Sequence, residues 1–230
     1  YRRGVAGRAA HLFAAFLAIA LAPAAVAQPG EEGELAATRL VYAEGKRAPV
    51  APTRSPGRSG EIFVVPGRGS QSGPGPLVRY GVAVEGRLPV DRFEFARAVE
   101  RVLSHPRGWG GGTARFQRVG GGPMGFVVVL ASPGLTDVLC GGIQTNGRYS
   151  CASGHRAILN FRRWQRGADS YTGDLLRYRV YMVNHEVGHL LGHGHRDCSD
   201  AGVRAPVMMQ QTKGVGACRP NPWPLARERF

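Results

Sequence analysis

Residues 185–195 read His185-Glu186-Val187-Gly188-His189-Leu190-Leu191-Gly192-His193-Gly194-His195. On a helix, residues four apart share a face, offset by about 40° and one turn of rise. His185 and His189 can therefore reach one ion from the same side. Glu186 is too close to His185 in sequence to complete that ligand set, and is well placed to hold a water beside the metal. Gly192 tolerates a backbone turn that most residues resist, so the chain can double back and present His195 as a third ligand. Three histidines leave one position of a tetrahedral zinc open, the arrangement of catalytic rather than structural sites. His193 falls between ligands and is expected to face solvent.

Working outward, Asp174 opens the helix that carries this stretch, which runs through Leu191 and stops at Gly192. Leu175, Val180, Val183, Leu190 and Leu191 are its expected core face. Upstream, Glu61–Val65 and Val78–Glu85 read as strands, the second with the alternation of a half-buried one. Asp91 is a good N-cap for a helix to about Ser104, in which Phe93, Phe95, Ala96, Val99, Val102 and Leu103 recur mostly at helical spacing. Strands are expected at Ala114–Val119, Phe126–Ala131, Arg148–Cys151 and Arg156–Phe161, and only turns beyond Gly192. This order predicts one α+β domain over residues 61–230. Trp164 and Trp223 read as packing anchors, His105 and His155 as structural.

The 230 residues are 43% apolar, enough for a core, and 34 glycines without a three-residue period exclude collagen. Net charge is +14, from 30 basic and 16 acidic residues. All the basic residues except Lys46 and Lys213 are arginines, scattered through turns and tails. A nucleic-acid binder would cluster them with aromatics, so no nucleic-acid partner is expected; anionic cell-envelope polymers suit the charge better. Residues 1–27 read as an export signal: Arg2, Arg3 and Arg8, then apolar Leu12–Ala22, then Ala25-Val26-Ala27 before cleavage at Gln28. Retention as an anchor is the alternative. Residues 28–60, rich in Gly, Pro, Ala, Arg and Glu, read as a flexible linker or a pro-segment. In an exported chain the four cysteines are expected to pair as Cys140–Cys151 and Cys198–Cys218; Cys198 as a metal ligand is the competing reading. Nothing signals oligomerisation, and a monomer is expected.

The full HExxHxxGxxH pattern resembles the metzincin clan of zinc metallopeptidases. Pro206-Val207-Met208-Met209-Gln210 stands where that clan has its Met-turn, with Met208, or else Met209, as the methionine. The finer pattern, in which Gln210-Gln211-Thr212 and Asn221-Pro222-Trp223-Pro224 follow, is similar to a secreted actinobacterial family labelled a domain of unknown function. The resemblance implies a minimal metzincin-like zincin: a mixed twisted sheet, a backing helix, an active-site helix and a short C-terminal subdomain. It also implies one catalytic Zn2+, Glu186 as general base and a peptide or protein substrate extended along an edge strand, for which Arg148–Cys151 is the candidate. Several metzincin families place a tyrosine two residues after the Met-turn methionine; Gln210 stands there, so no such role is carried over. Two rival expectations are a non-catalytic envelope-binding protein with a vestigial zinc site, and a zinc amidase acting on cell-wall peptides. Glu186 favours an enzyme over the first.

Overall fold

A computed structural model describes residues 40–42, 59–112 and 114–229. The expected export signal lies outside these residues, as does the expected linker apart from 40–42 and 59–60. In chain order the elements are β1 (Leu40–Tyr42), β2 (Ile62–Val64), β3 (Leu77–Glu85), α1 (Arg92–Ser104), β4 (Arg115–Arg118) and β5 (Phe126–Ala131). They continue with α2 (Pro133–Leu139), β6 (Cys151–Ser153), β7 (Arg156–Asn160), α3 (Phe161–Arg166) and α4 (Leu175–Leu190). The fold is α+β, with an open mixed sheet in the order β1-β2-β3-β5-β7-β6 and β4 also paired to β3. The β3–β5 and β5–β7 pairs are parallel, whereas β2–β3 and β6–β7 are antiparallel. No helix among the described residues is long and apolar enough to cross a membrane.

The central strands are apolar on both faces because both are covered. Along β5, Phe126, Val128 and Leu130 enter the large core beneath α1, α3 and α4. Val129 and Ala131 point the other way, into a smaller core with Leu135 and Leu139 of α2. The Asp91 carboxylate caps α1, accepting from the Phe93 and Glu94 N–H groups at 2.8 and 3.2 Å. Asp174 caps α4 through the Arg177 N–H at 3.0 Å. At the far end of α4 the chain reverses at Gly192, whose φ of +92° is costly for any residue with a Cβ.

Several expectations need correction. The strand expected at Arg148–Cys151 is β6, three residues later, because 145–149 are held as a turn: the Gly147 N–H donates to the Asp137 carboxylate at 2.8 Å and the Arg148 N–H to the Thr145 carbonyl at 2.8 Å. Helices α2 and α3 were not foreseen, and Phe161 starts α3 instead of ending a strand. The region beyond Gly192 includes one short 3-10 turn, Ala226–Glu228. On α4 only Val183 of the five expected core positions is fully buried; Leu175, Val180, Leu190 and Leu191 are partly so. The buried stripe is Tyr178, Tyr181, Met182, Val183 and Val187. Both disulfides form as expected, Cys140–Cys151 and Cys198–Cys218, which removes Cys198 as a metal ligand and suits an oxidising environment.

Candidate metal centre

Helix α4 brings His185 and His189 onto one face, and the turn at Gly192 returns His195 to them. One ring nitrogen from each of the three lies within 4.8 Å of the others, so together they could hold a metal ion. The outward nitrogens show how each ring is set. His185 Nδ1–H donates to the Val207 carbonyl at 2.8 Å, and His189 Nδ1–H to the His193 carbonyl at 2.8 Å. A carbonyl can only accept, so in the neutral ring the proton sits on Nδ1 and Nε2 is left as the ligand atom. His189 Nε2 lies 3.2 Å from His195 Nε2, close to the edge of about 3.3 Å for a tetrahedron with Zn–N bonds of about 2.0–2.1 Å. Burial depresses all three imidazoles, and brings His185 down to about 3. That favours the neutral form a metal requires. The donor set therefore suits a metal ion.

Glu186 is buried, and loss of solvent pushes its carboxyl up to about 8. It lines the same cleft as the histidines, a cavity of about 400 Å³. Cys151 and Ala152 of β6 form one wall, with Thr145 and Tyr149 from the loop that the Cys140–Cys151 bond closes. Gln210, Thr212 and Lys213 also line the cleft. The Lys213 ammonium sits 5.3 Å from the Tyr149 ring centroid. Among the described residues β6 is the last strand of the sheet and pairs only with β7, and its Cys151 and Ala152 border this cleft. A larger groove, about 600 Å³ between α1, α3 and α4, contains neither Glu186 nor any of the three histidines.

The floor of the site is the loop 205–211. Met208 is fully buried and lies against Gly188, which sits between the two helical histidines, next to His189; Met209 is only partly buried. Gln210 is a cleft residue, whereas Gln211 is buried: its side-chain amide donates to Pro206 and Asn221 carbonyls at 2.9 and 2.8 Å and accepts from the Asn221 N–H at 3.0 Å. The two motifs Gln210-Gln211-Thr212 and Asn221-Pro222-Trp223-Pro224 thus meet in one hydrogen-bonded hub.

His193 does not simply face solvent. Its ring stacks on buried Trp109, centroids 4.5 Å apart, while Trp109 Nε1–H donates to the Asn184 carbonyl at 2.8 Å. Three site-supporting residues escaped the sequence reading: Trp109, Glu228 and Tyr181. Tyr181 had a signal, since it stands four residues before His185 on the ligand face. Its hydroxyl donates to the Met209 carbonyl at 2.9 Å and accepts from the Gln211 N–H at 2.8 Å, which makes it a brace for the floor loop. Trp223 stacks on His105 at 4.3 Å and Trp164 packs edge-on to Phe95 at 4.9 Å, the anchoring roles expected of them.

Residues 52–225 match the family described as a protein of unknown function (DUF3152). No curated protein and no solved structure matches the chain.

Proposed function

The chain belongs to the DUF3152 family, whose name carries no activity, and from that premise we propose that it is a zinc-dependent, metzincin-like peptidase acting in an exported, oxidising setting. The observation that carries the reading is the convergence of three histidine nitrogens with the buried Glu186, whose carboxyl the positive charge of a bound metal would hold ionised, in a cleft bordered by the outer edge of β6. A bound zinc would supply Lewis acidity there, able to polarise a carbonyl and to bring a water's pKa down toward about 7. His185, His189 and His195 would hold it, with Met208, packed against Gly188 of α4, as the Met-turn residue. A peptide laid along β6 finds backbone partners on that edge, so its scissile amide passes over the histidines. Glu186 accepts a proton from the attacking water as the oxygen–carbon bond forms, then delivers it to the amine nitrogen as the carbon–nitrogen bond breaks. Its burial keeps bulk water from competing for that proton.

The test is zinc content and cleavage of an unfolded protein substrate by the purified oxidised protein, beside Glu186→Ala. Near-stoichiometric zinc in both, with cleavage by the wild type alone and its loss on chelation, supports the reading. Zinc without cleavage across a broad peptide screen contradicts it.

A further inference from the structure

Glu228 is fully buried at the far end of the described chain, and the proposed chemistry makes no use of it. Its partners are three backbone N–H groups: Met208 to Oε1 at 3.0 Å, Val207 to Oε2 at 3.0 Å and Leu225 to Oε2 at 2.8 Å. All three are donors, which suits an acceptor-only carboxylate. One of those contacts continues toward the metal site. The Met208 N–H and the Val207 carbonyl belong to a single peptide group, and that carbonyl is the acceptor for His185 Nδ1–H at 2.8 Å.

We propose that Glu228 is a positioning residue for His185, acting through the Val207–Met208 peptide as a carboxylate–peptide–histidine relay. Metal-bound histidines commonly donate their outer N–H directly to a carboxylate or a carbonyl, which fixes the ring and strengthens the inner nitrogen as a donor. Here one peptide joins both devices. The carboxylate draws on the Met208 N–H, the peptide dipole sharpens, and the Val207 oxygen becomes a better acceptor for His185; hydrogen bonds in series reinforce one another in this way. The Val207 and Leu225 N–H groups both hold Oε2, which fixes the carboxylate so that Oε1 stays on the Met208 N–H. The proposal rests on the metal reading above and extends it to a residue 43 positions from the ligand it governs, as the numbering of His185 and Glu228 gives.

The rival account is that Glu228 merely braces the loop. Gln211 provides the control, because it holds the same loop through Pro206 and Asn221 without touching the Val207–Met208 peptide. Zinc affinity is measured by chelator competition, and the ligand field by the visible spectrum of the cobalt-loaded protein, for wild type, Glu228→Gln and Gln211→Ala. Glu228→Gln is expected to bind zinc about 10- to 100-fold more weakly with a shifted cobalt band, while Gln211→Ala loses stability but keeps both readouts. Unchanged affinity and spectrum in Glu228→Gln, or an equal loss in Gln211→Ala, overturns the relay and leaves the metal reading standing. A wild type that binds neither metal overturns both. If Glu228→Gln does not fold, wild-type NMR decides: the Met208 amide and His185 Nδ1 protons are expected to shift together on adding zinc, and a Met208 amide that does not move overturns the relay.

Discussion

Gly188, the residue just before His189 on α4, leaves the space that the thioether of Met208 fills. A Cβ built there would collide with the Met208 sulfur and come within 2.8 Å of Trp109 Cζ2. The close approach lets the floor loop bring the Val207 carbonyl to His185 and lets the Trp109 ring support His193.

Gly188→Ala is therefore expected to destabilise the protein by about 1–3 kcal/mol through overpacking. In an open helix the same change would gain about 1 kcal/mol. Urea unfolding decides the sign, and a variant more stable than wild type would contradict the packing described.

Trp109→Phe removes the donor to the Asn184 carbonyl and shrinks the surface under His193. The expected loss is about 1–3 kcal/mol, from the lost hydrogen bond and the volume removed from the core, although the Asn184 carbonyl keeps its helical partner within α4. Zinc affinity should weaken as well, because the His193 carbonyl orients His189. An unfolding midpoint and affinity both equal to wild type would refute the role assigned to Trp109.

The two disulfides should separate stability from metal binding. Cys198–Cys218 spans the floor loop and begins three residues after His195, so replacing both cysteines with serine should cost about 3 kcal/mol and weaken zinc binding. Cys140–Cys151 fixes the start of β6 and holds no ligand segment. Its loss should spare zinc affinity and raise KM for an extended peptide. Equal effects on zinc affinity from the two pairs would contradict this division.

Much of the fold and site was legible because the signals were local. Asp174, Gly192 and the histidine spacing of four delimit α4 without outside help, and Asp91 does the same for α1. β5 stood out as an apolar run, but Val78–Glu85, read as a half-buried strand, is buried at every position from Tyr80 to Glu85 because both faces of β3 are covered. Helix α2 carried a readable start, Ser132 followed by Pro133 at the first helical position. It spans only seven residues and includes Gly134, so periodicity could not find it. β6 slid because its position is set by Asp137 and the turn it pins, several residues upstream. Trp109 and Glu228 were illegible for a different reason: their partners lie 75 and about 20 residues away, and no window on the sequence spans a contact made by folding.

The central claim is that His185, His189 and His195 hold one zinc ion, and zinc titration of the oxidised protein against His189→Ala tests it most directly. The account predicts one equivalent bound by wild type, a thermal midpoint that rises with zinc concentration, and at least about a hundredfold weaker binding in a correctly folded variant that has lost one of its three ligands. A folded wild type that takes up no zinc, or a variant that binds it equally well, would contradict the claim.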